Sequence, residues 1–133
     1  MKSLLDKNNF LFIKTIIKNI NIINGINIKI IDTTKKKNNL FDFFIICEGI
    51  SYLHVKSIYN KIEISIYKKF NIKPYNTEGI QNYKWILIDY NFVIVNIFLN
   101  KIRYYYEIDN FWNKFPILYL DFFLKNKYNE NKK

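Results

Sequence analysis

Residues 78–112 read EGIQNYKWILIDYNFVIVNIFLNKIRYYYEIDNFW, and this segment holds a turn, two strands and a short helical closure. Glu78-Gly79 predicts the turn, because glycine adopts backbone conformations that other residues avoid. WILIDY and FVIVNIFL are rich in β-branched and aromatic residues, and only Asn91 stands between them. Two such runs with almost no spacer predict a β-hairpin.

The first strand of this hairpin has two faces of different chemistry. Side chains alternate along a strand. Two sets of three result: Trp85, Leu87 and Asp89 on one face, and Ile86, Ile88 and Tyr90 on the other. A carboxylate is costly in a core unless it is paired, so the face with Trp85 and Asp89 is more typical of a partner surface. The alternative is a core tryptophan, since aromatic residues fill most cores.

Hydrophobic periodicity organises the rest of the chain. It predicts helices over residues 3–23 and 52–70, strands over 26–34, 42–49 and 72–76, and short helical turns over 101–112. The run 42–49 is almost wholly apolar, as expected of a strand buried on both faces. The predicted fold class is α/β, an α+β-like sandwich with a mixed sheet of about five strands. A single domain is predicted over 1–116, followed by an apolar segment and lysine-rich tail over 117–133.

The composition limits the classes of function. The chain has 133 residues, half of them apolar, and a net charge of +10. Such a charge favours attraction to RNA. However, 20 lysines accompany one arginine, 26 isoleucines, 20 asparagines and no alanine. This is the pattern of AT-rich codons, and a protein selected to grip phosphates or bases usually keeps arginines. A basic RNA-binding module is therefore an alternative and not the main prediction.

Membrane and redox signals are weak in this sequence. No uncharged apolar run reaches about 18 residues, so no membrane span is predicted. The N-terminus interrupts its apolar residues with Asp6 and does not resemble a signal peptide. Cys47 is the only cysteine and lies in an apolar run, which predicts a small buried side chain in a reducing, cytoplasmic setting.

Catalytic chemistry has few candidates. A metal-dependent nucleotidyltransferase needs clustered carboxylates, and the candidates at strand ends are Asp32, Asp42 and Asp89. No pair of them has the Asp-x-Asp spacing that places two carboxylates on one strand face. Ser51 and His54 could form a hydrogen bond at the start of a helix, yet no third group completes a triad. No enzyme activity, cofactor or metal is predicted, and a metal-dependent nucleotidyltransferase is kept as an alternative.

Together with DFFIICEGISYLHV at 42–55, the hairpin segment resembles the ribosomal silencing factors, also called the Iojap family. The similarity extends over about residues 24–115. The matching residues are Asp42, Phe44, Gly49, Ser51, His54, Glu78, Gly79, Trp85, Asp89, Phe98, Arg103, Tyr106, Glu107 and Trp112. The resemblance implies a nucleotidyltransferase-like fold. It also implies a protein that binds the large ribosomal subunit through protein fourteen and sterically blocks joining of the small subunit, which represses translation without catalysis.

The resemblance also implies a set of partner-binding residues: Glu78, Trp85, Leu87, Asp89, Tyr90, Arg103 and Tyr106. Trp85 would be the apolar anchor and Asp89 the charged partner of a basic residue. Arg103 has a second interpretation, as a structural pin for Glu107 or Asp109. Contact with ribosomal RNA and a homodimer in the free state are further possibilities.

Two other features concern single positions in this region. Tyr104, Tyr105 and Tyr106 cannot all be buried on one short helical turn, so at least one is predicted to be exposed. Asn96 stands where the family usually has histidine, and in an apolar strand it needs a hydrogen-bond partner.

Overall fold

A computed structural model describes residues 7–34 and 41–125 of the chain. It contains five helices, α1 (Lys7–Ile22), α2 (Tyr52–Phe70), α3 (Asn100–Tyr105), α4 (Ile108–Phe111) and α5 (Leu120–Lys125). The strands are β1 (Ile26–Asp32), β2 (Phe43–Gly49), β3 (Asn76–Glu78), β4 (Trp85–Asp89), β5 (Val93–Leu99) and β6 (Ile117–Leu118). The start of the helix predicted from residue 3, the lysine loop after Thr34 and the lysine-rich tail lie outside the described residues.

The strands form one mixed sheet in the order β3-β4-β5-β2-β1-β6. The β4–β5 hairpin is confirmed, with Trp85 opposite Phe98 and Asp89 opposite Ile94. Only β2 and β5 run parallel, and they occupy the centre of the sheet. All seven residues of β2 are buried, as the uninterrupted apolar run predicts. The fold class is therefore confirmed as an α+β sandwich with helices packed on a mixed sheet.

We call the sheet face that carries Ile86 and Ile88 the back face, and helices α1 and α2 cover it. Four isoleucines of α1 recur at helical spacing and have no exposed surface: Ile13, Ile16, Ile17 and Ile20. They pack with the back-face side chains of β2, β4 and β5 in one large core cluster. Burial of this apolar layer is the main source of stability, since α1 is rich in asparagine and has weak intrinsic helix propensity.

Helix α2 has the boundaries that the sequence predicts. Ser51 is the N-cap, and its Oγ accepts a hydrogen bond from the His54 backbone N–H at 3.0 Å. The helix ends at Asn71, which adopts a left-handed conformation with φ 58° and donates its backbone N–H to the Tyr67 carbonyl. Asparagine tolerates this conformation better than other non-glycine residues.

We call the opposite face, which carries Trp85, Leu87 and Asp89, the front face. A smaller cluster of buried residues lies there: Ile31, Phe44, Ile46, Ile94 and Phe98. Side chains of α3, α4 and the following turn pack on it, among them Ile102, Ile108 and Trp112. In the described part of the chain, no helix packs against the front face over β3 and β4, and this area forms the site described below.

One sheet prediction needs correction. The strand predicted at 72–76 forms instead at Asn76–Glu78, because the chain enters the sheet only where Tyr75 donates its backbone N–H to Asp89. The predicted mixed sheet of about five strands is confirmed, and its sixth strand is β6, which pairs with β1 beyond Pro116. In α5, Phe123 has no exposed surface and stacks on Phe10, so this part of the predicted C-terminal segment packs on the same core as the rest of the domain.

Candidate partner-binding face

An open groove of about 330 Å³ lies on the front face. Its floor consists of apolar side chains from three neighbouring strands, Phe44, Leu87 and Ile94. Trp112 and Phe41 form an aromatic wall, with the Trp112 ring 4.4 Å from the Phe44 ring between centroids. An apolar floor beside an aromatic wall is the usual make-up of a protein-binding groove.

The polar side of this groove is acidic. Glu78 on β3 and Asp89 on β4 both line it, together with the amides of Asn76 and Asn91. Asn76 donates to Glu78 at 3.0 Å, and the Asn91 backbone N–H donates to Asp89 at 2.7 Å. These bonds fix the two carboxylates, and neither carboxylate has an ion-pair partner among the described residues. We call the whole feature the acidic groove.

Trp85 lies on the same face, next to the acidic groove. Its side chain is 38% exposed, so it is neither a core residue nor fully solvated. The indole N–H donates to the Asn96 side-chain oxygen at 2.8 Å, and the ring packs on Phe98 with centroids 4.8 Å apart. The hydrogen bond holds the indole against the sheet, and its exposed surface is therefore available as a preformed apolar anchor.

Asn96 explains this arrangement, since it is completely buried and its oxygen is the acceptor for the indole. Its amide nitrogen has no hydrogen-bond partner in the described structure. The predicted hydrogen-bond partner of Asn96 is therefore Trp85, which satisfies the side-chain oxygen but not the amide nitrogen.

The exposed aromatic residues continue from Trp85 onto α3. The Tyr106 ring lies 6.1 Å from the indole and is half exposed. Tyr104 and Tyr105 are more exposed than Tyr106, at 73% and 77%. All three tyrosines are exposed, which confirms the prediction that at least one of them is.

Arg103 is buried at 5% exposure, and its guanidinium bonds within the protein. One guanidinium nitrogen donates to Glu48 at 3.0 Å and to the Asn27 carbonyl at 2.6 Å. Two other nitrogens donate to Asp109. Of its two interpretations, the structure supports the structural pin, and Asp109 is the predicted acid. Arg103 and Glu48 form the buried ion pair. Removing one member of a buried pair typically costs about 3–5 kcal/mol, because the remaining charge loses its partner.

Tyr90 is also placed in the core, which corrects its assignment to the partner surface. It is 4% exposed, and its ring meets Phe12 of α1 edge to face at 5.2 Å. Burial raises the pKa of the Tyr90 hydroxyl well above its usual range, and nearby Glu63 and Tyr59 add to the shift. The strand alternation, which groups Tyr90 with Ile86 and Ile88, accounts for this position.

The candidate catalytic groups do not form a site. Asp32 is buried and accepts hydrogen bonds from the Thr34 backbone and hydroxyl, so it caps the turn after β1. Within residues 7–34 and 41–125, no three His, Cys, Asp or Glu side chains come together as metal ligands. The nucleotidyltransferase alternative therefore gains no support from this part of the chain.

His54 and Cys47 have structural positions. The His54 ring accepts the Ile50 backbone N–H at 3.0 Å, and its other nitrogen lies 2.7 Å from the Ile23 carbonyl. The ring thus ties the start of α2 to the end of α1, and it does not bond to Ser51 Oγ. Cys47 has no exposed surface, and burial raises the pKa of its thiol far above the usual range. It is the predicted small buried side chain.

The structure brings Glu78, Leu87 and Asp89 together in the acidic groove, with Trp85 and Tyr106 beside it. Sequence reasoning missed the role of Phe41 and Trp112 as the groove wall, because their contact depends on the fold. Glu48 as the partner of Arg103 was also missed, since 55 positions separate them. No helix of the described ranges combines the length and apolarity needed to cross a bilayer.

Comparisons with known proteins assign the chain to a family. The family described as "Ribosomal silencing factor during starvation" matches residues 11–133. The chain belongs to this family. Proteins named ribosomal silencing factor RsfS from Chromobacterium violaceum and Bacillus subtilis are 30% identical over 79 residues and 32% over 81 residues. These alignments cover 59% and 61% of the chain and 64% and 68% of the relatives.

Solved structures support the same fold. A crystal structure of a Chromobacterium violaceum protein is similar with a TM-score of 0.71 at 29% identity, over 77% of this chain and 84% of that one. A Bacillus halodurans crystal structure also has a TM-score of 0.71, at 23% identity, over 82% and 97% of the two chains. The family assignment and the fold assignment are therefore independent and agree.

Proposed function

We propose that this silencing factor acts in the cytoplasm by docking its acidic groove and Trp85 on protein fourteen of the large ribosomal subunit. The bound factor occupies space that the small subunit needs, so subunit joining and translation are repressed. No bond is made or broken in this mechanism. The chain's membership of the silencing-factor family supports the ribosomal role.

One observation carries the choice of this surface. In a chain with a net charge of +10, the acidic groove has two carboxylates in its lining and, among the described residues, no lysine or arginine. A groove with this charge is complementary to a basic protein surface and would repel ribosomal RNA. Ribosomal protein is therefore the occupant that the groove fits.

The two flanking features complete a docking surface. Interfaces gain most of their affinity from a few central aromatic side chains, and half-exposed Trp85 is such an anchor. Glu78 and Asp89 would steer a basic partner into register and exclude acidic ones. Arg103 and Tyr90 contribute by holding the loops and strands, without touching the partner.

The test measures capture of purified ribosomal subunits by the immobilised protein. We expect capture of the large subunit and not of the small one. Asp89→Lys should weaken large-subunit binding by at least about tenfold at low salt, because it places a cation against a basic surface. Its effect on the fold should be small, since the Asp89 side chain is only partly buried.

The matched control is Glu63→Lys on α2, which makes the same charge change on the other side of the sheet. Added positive charge alone would strengthen attraction to a ribosome through its RNA, so this variant should bind at least as well as the wild type. Equal weakening by both substitutions, or capture of both subunits by the wild type, would refute the proposed surface.

A further inference from the structure

A second groove, of about 400 Å³, lies between α1 and α2 on the side of the molecule opposite the acidic groove. The lining residues are mostly basic or polar: Lys14, Thr15, Lys18, Asn19, Ile22, Ser65, Lys68 and Lys69. We call it the lysine groove. Within residues 7–34 and 41–125, no acidic and no aromatic side chain lines it, so its chemistry is the reverse of that on the front face.

The polar floor of the lysine groove is bonded internally. The Ser65 hydroxyl donates to the Asn19 side-chain oxygen at 3.0 Å, and the Asn19 amide donates to the Thr15 carbonyl at 2.7 Å. The Thr15 hydroxyl donates to the Leu11 carbonyl at 2.8 Å. Both hydroxyl donors are therefore used within the protein. The main donors left for a ligand are the ammonium groups of Lys18, Lys68 and Lys69.

The distribution of charge makes this groove more than a result of codon bias. Helices α1 and α2 together carry seven lysines and one glutamate, a net charge of +6 out of the +10 of the whole chain. Codon bias explains how many lysines the chain has, but it does not explain why the described residues that line the acidic groove include none. Lys18, Lys68 and Lys69 have no acidic partner among the described residues.

We infer that the lysine groove binds the phosphate backbone of RNA. Ammonium groups on two facing helices surround a polar channel, and lysine binds phosphate as a compact point charge, without the bidentate geometry that arginine would add. Among the described residues, the only large apolar side chain in the lining is Ile22, so an acidic protein would find no anchor there. The described lining has no aromatic ring to stack on bases, and therefore the site binds phosphates without sequence preference.

This inference does not rest on the proposed function. The sheet separates the two grooves, so the factor can hold a protein partner on the front face while the lysine groove holds RNA. A protein that binds with both surfaces gains avidity from two weak contacts. RNA binding can be measured with the free protein, in the absence of ribosomes.

The experiment measures fluorescence anisotropy of a labelled single-stranded RNA of mixed sequence, about 20 nucleotides long, with the full chain. The KCl concentration is varied from about 25 to 200 mM. The test variant is Lys18→Gln/Lys68→Gln/Lys69→Gln. Each lost phosphate contact lowers the salt slope of log K by about 0.7, so the slope should fall by about 2 and low-salt affinity by roughly tenfold.

The matched control is Lys84→Gln/Lys101→Gln/Lys114→Gln, which removes three exposed lysines away from the groove. We expect less than about a twofold change in its RNA affinity. Equal losses in both variants would mean that net charge alone attracts RNA, and an unchanged groove variant would overturn the inference directly. Circular dichroism checks that α1 and α2 remain folded in both.

Trp85→Ala distinguishes this inference from the proposed function. If the RNA site is separate, this substitution leaves RNA affinity and its salt slope unchanged, whatever it does to binding of the ribosomal subunit. A parallel loss of RNA binding in Trp85→Ala would place the RNA contact on the front face and refute the lysine groove as the site.

Discussion

The front and back faces of the sheet follow the same alternation of side chains, but helices cover them to different extents. On the back face, α1 and α2 cover every apolar side chain of β2, β4 and β5. On the front face, α3 and α4 are short and cover only the part over β1, β2 and β5. Leu87 and Trp85 stay partly exposed as a result. Helix length therefore decides which face is core and which is available to a partner.

The largest expected effect is a difference between the two faces in how much a substitution lowers the free energy of unfolding. Phe43→Ala on the back face removes a completely buried ring and should lower the free energy of unfolding by about 3–5 kcal/mol. Leu87→Ala on the front face should cost about 1 kcal/mol, because its side chain is only partly buried. Urea denaturation measures both. Similar costs at the two positions would mean that the front face is as closed as the back.

The next effect is a difference between the two faces in how much the loss of an exposed aromatic ring weakens binding to the large subunit. Trp85→Ala should keep a cooperative unfolding transition and weaken large-subunit binding by about 2 kcal/mol or more, the size typical of an interface hot spot. Sucrose-gradient co-sedimentation with the large subunit measures it. Tyr67→Ala, which removes a 47% exposed ring from α2, is the control and should bind normally. Unchanged co-sedimentation of Trp85→Ala would show that the indole is not the anchor.

The smallest effect concerns a polar atom that the back face encloses. The Tyr90 hydroxyl is buried and has no hydrogen-bond partner in the described structure. Tyr90→Phe removes this group and keeps the ring, so the free energy of unfolding should stay the same or rise by up to about 1 kcal/mol. Thermal and urea unfolding at neutral pH measure the change. A clear loss of stability would indicate that the hydroxyl has a partner, such as a bound water.

Local pattern predicted much of this fold. The alternation of β4, the N-cap at Ser51 and the end of α2 at Phe70 all depend on neighbouring residues and were correct. The strand at 72–76 was wrong because pairing with β4 sets where β3 begins. Strand β6 was missed because a two-residue strand has no periodicity of its own.

The site was harder to predict for the same physical reason. Strand geometry predicted that Trp85, Leu87 and Asp89 share one face of the sheet. The exposure of Trp85 depends in addition on where α3 ends. Tyr90 was assigned to the surface by resemblance, although the alternation of β4 placed it on the core face. The Arg103–Glu48 pair joins distant parts of the chain, and local sequence carries no trace of such contacts.

Cross-linking from each face tests the docking surface most directly. Asn76→Cys, in the acidic groove, and Asn60→Cys, on α2, are both exposed and leave the charge unchanged. A thiol-linked benzophenone labels either one, because native Cys47 is buried. With purified large subunits, we predict a light-induced cross-link to protein fourteen from position 76 and none from position 60. A cross-link to that protein from position 60 alone would contradict the account.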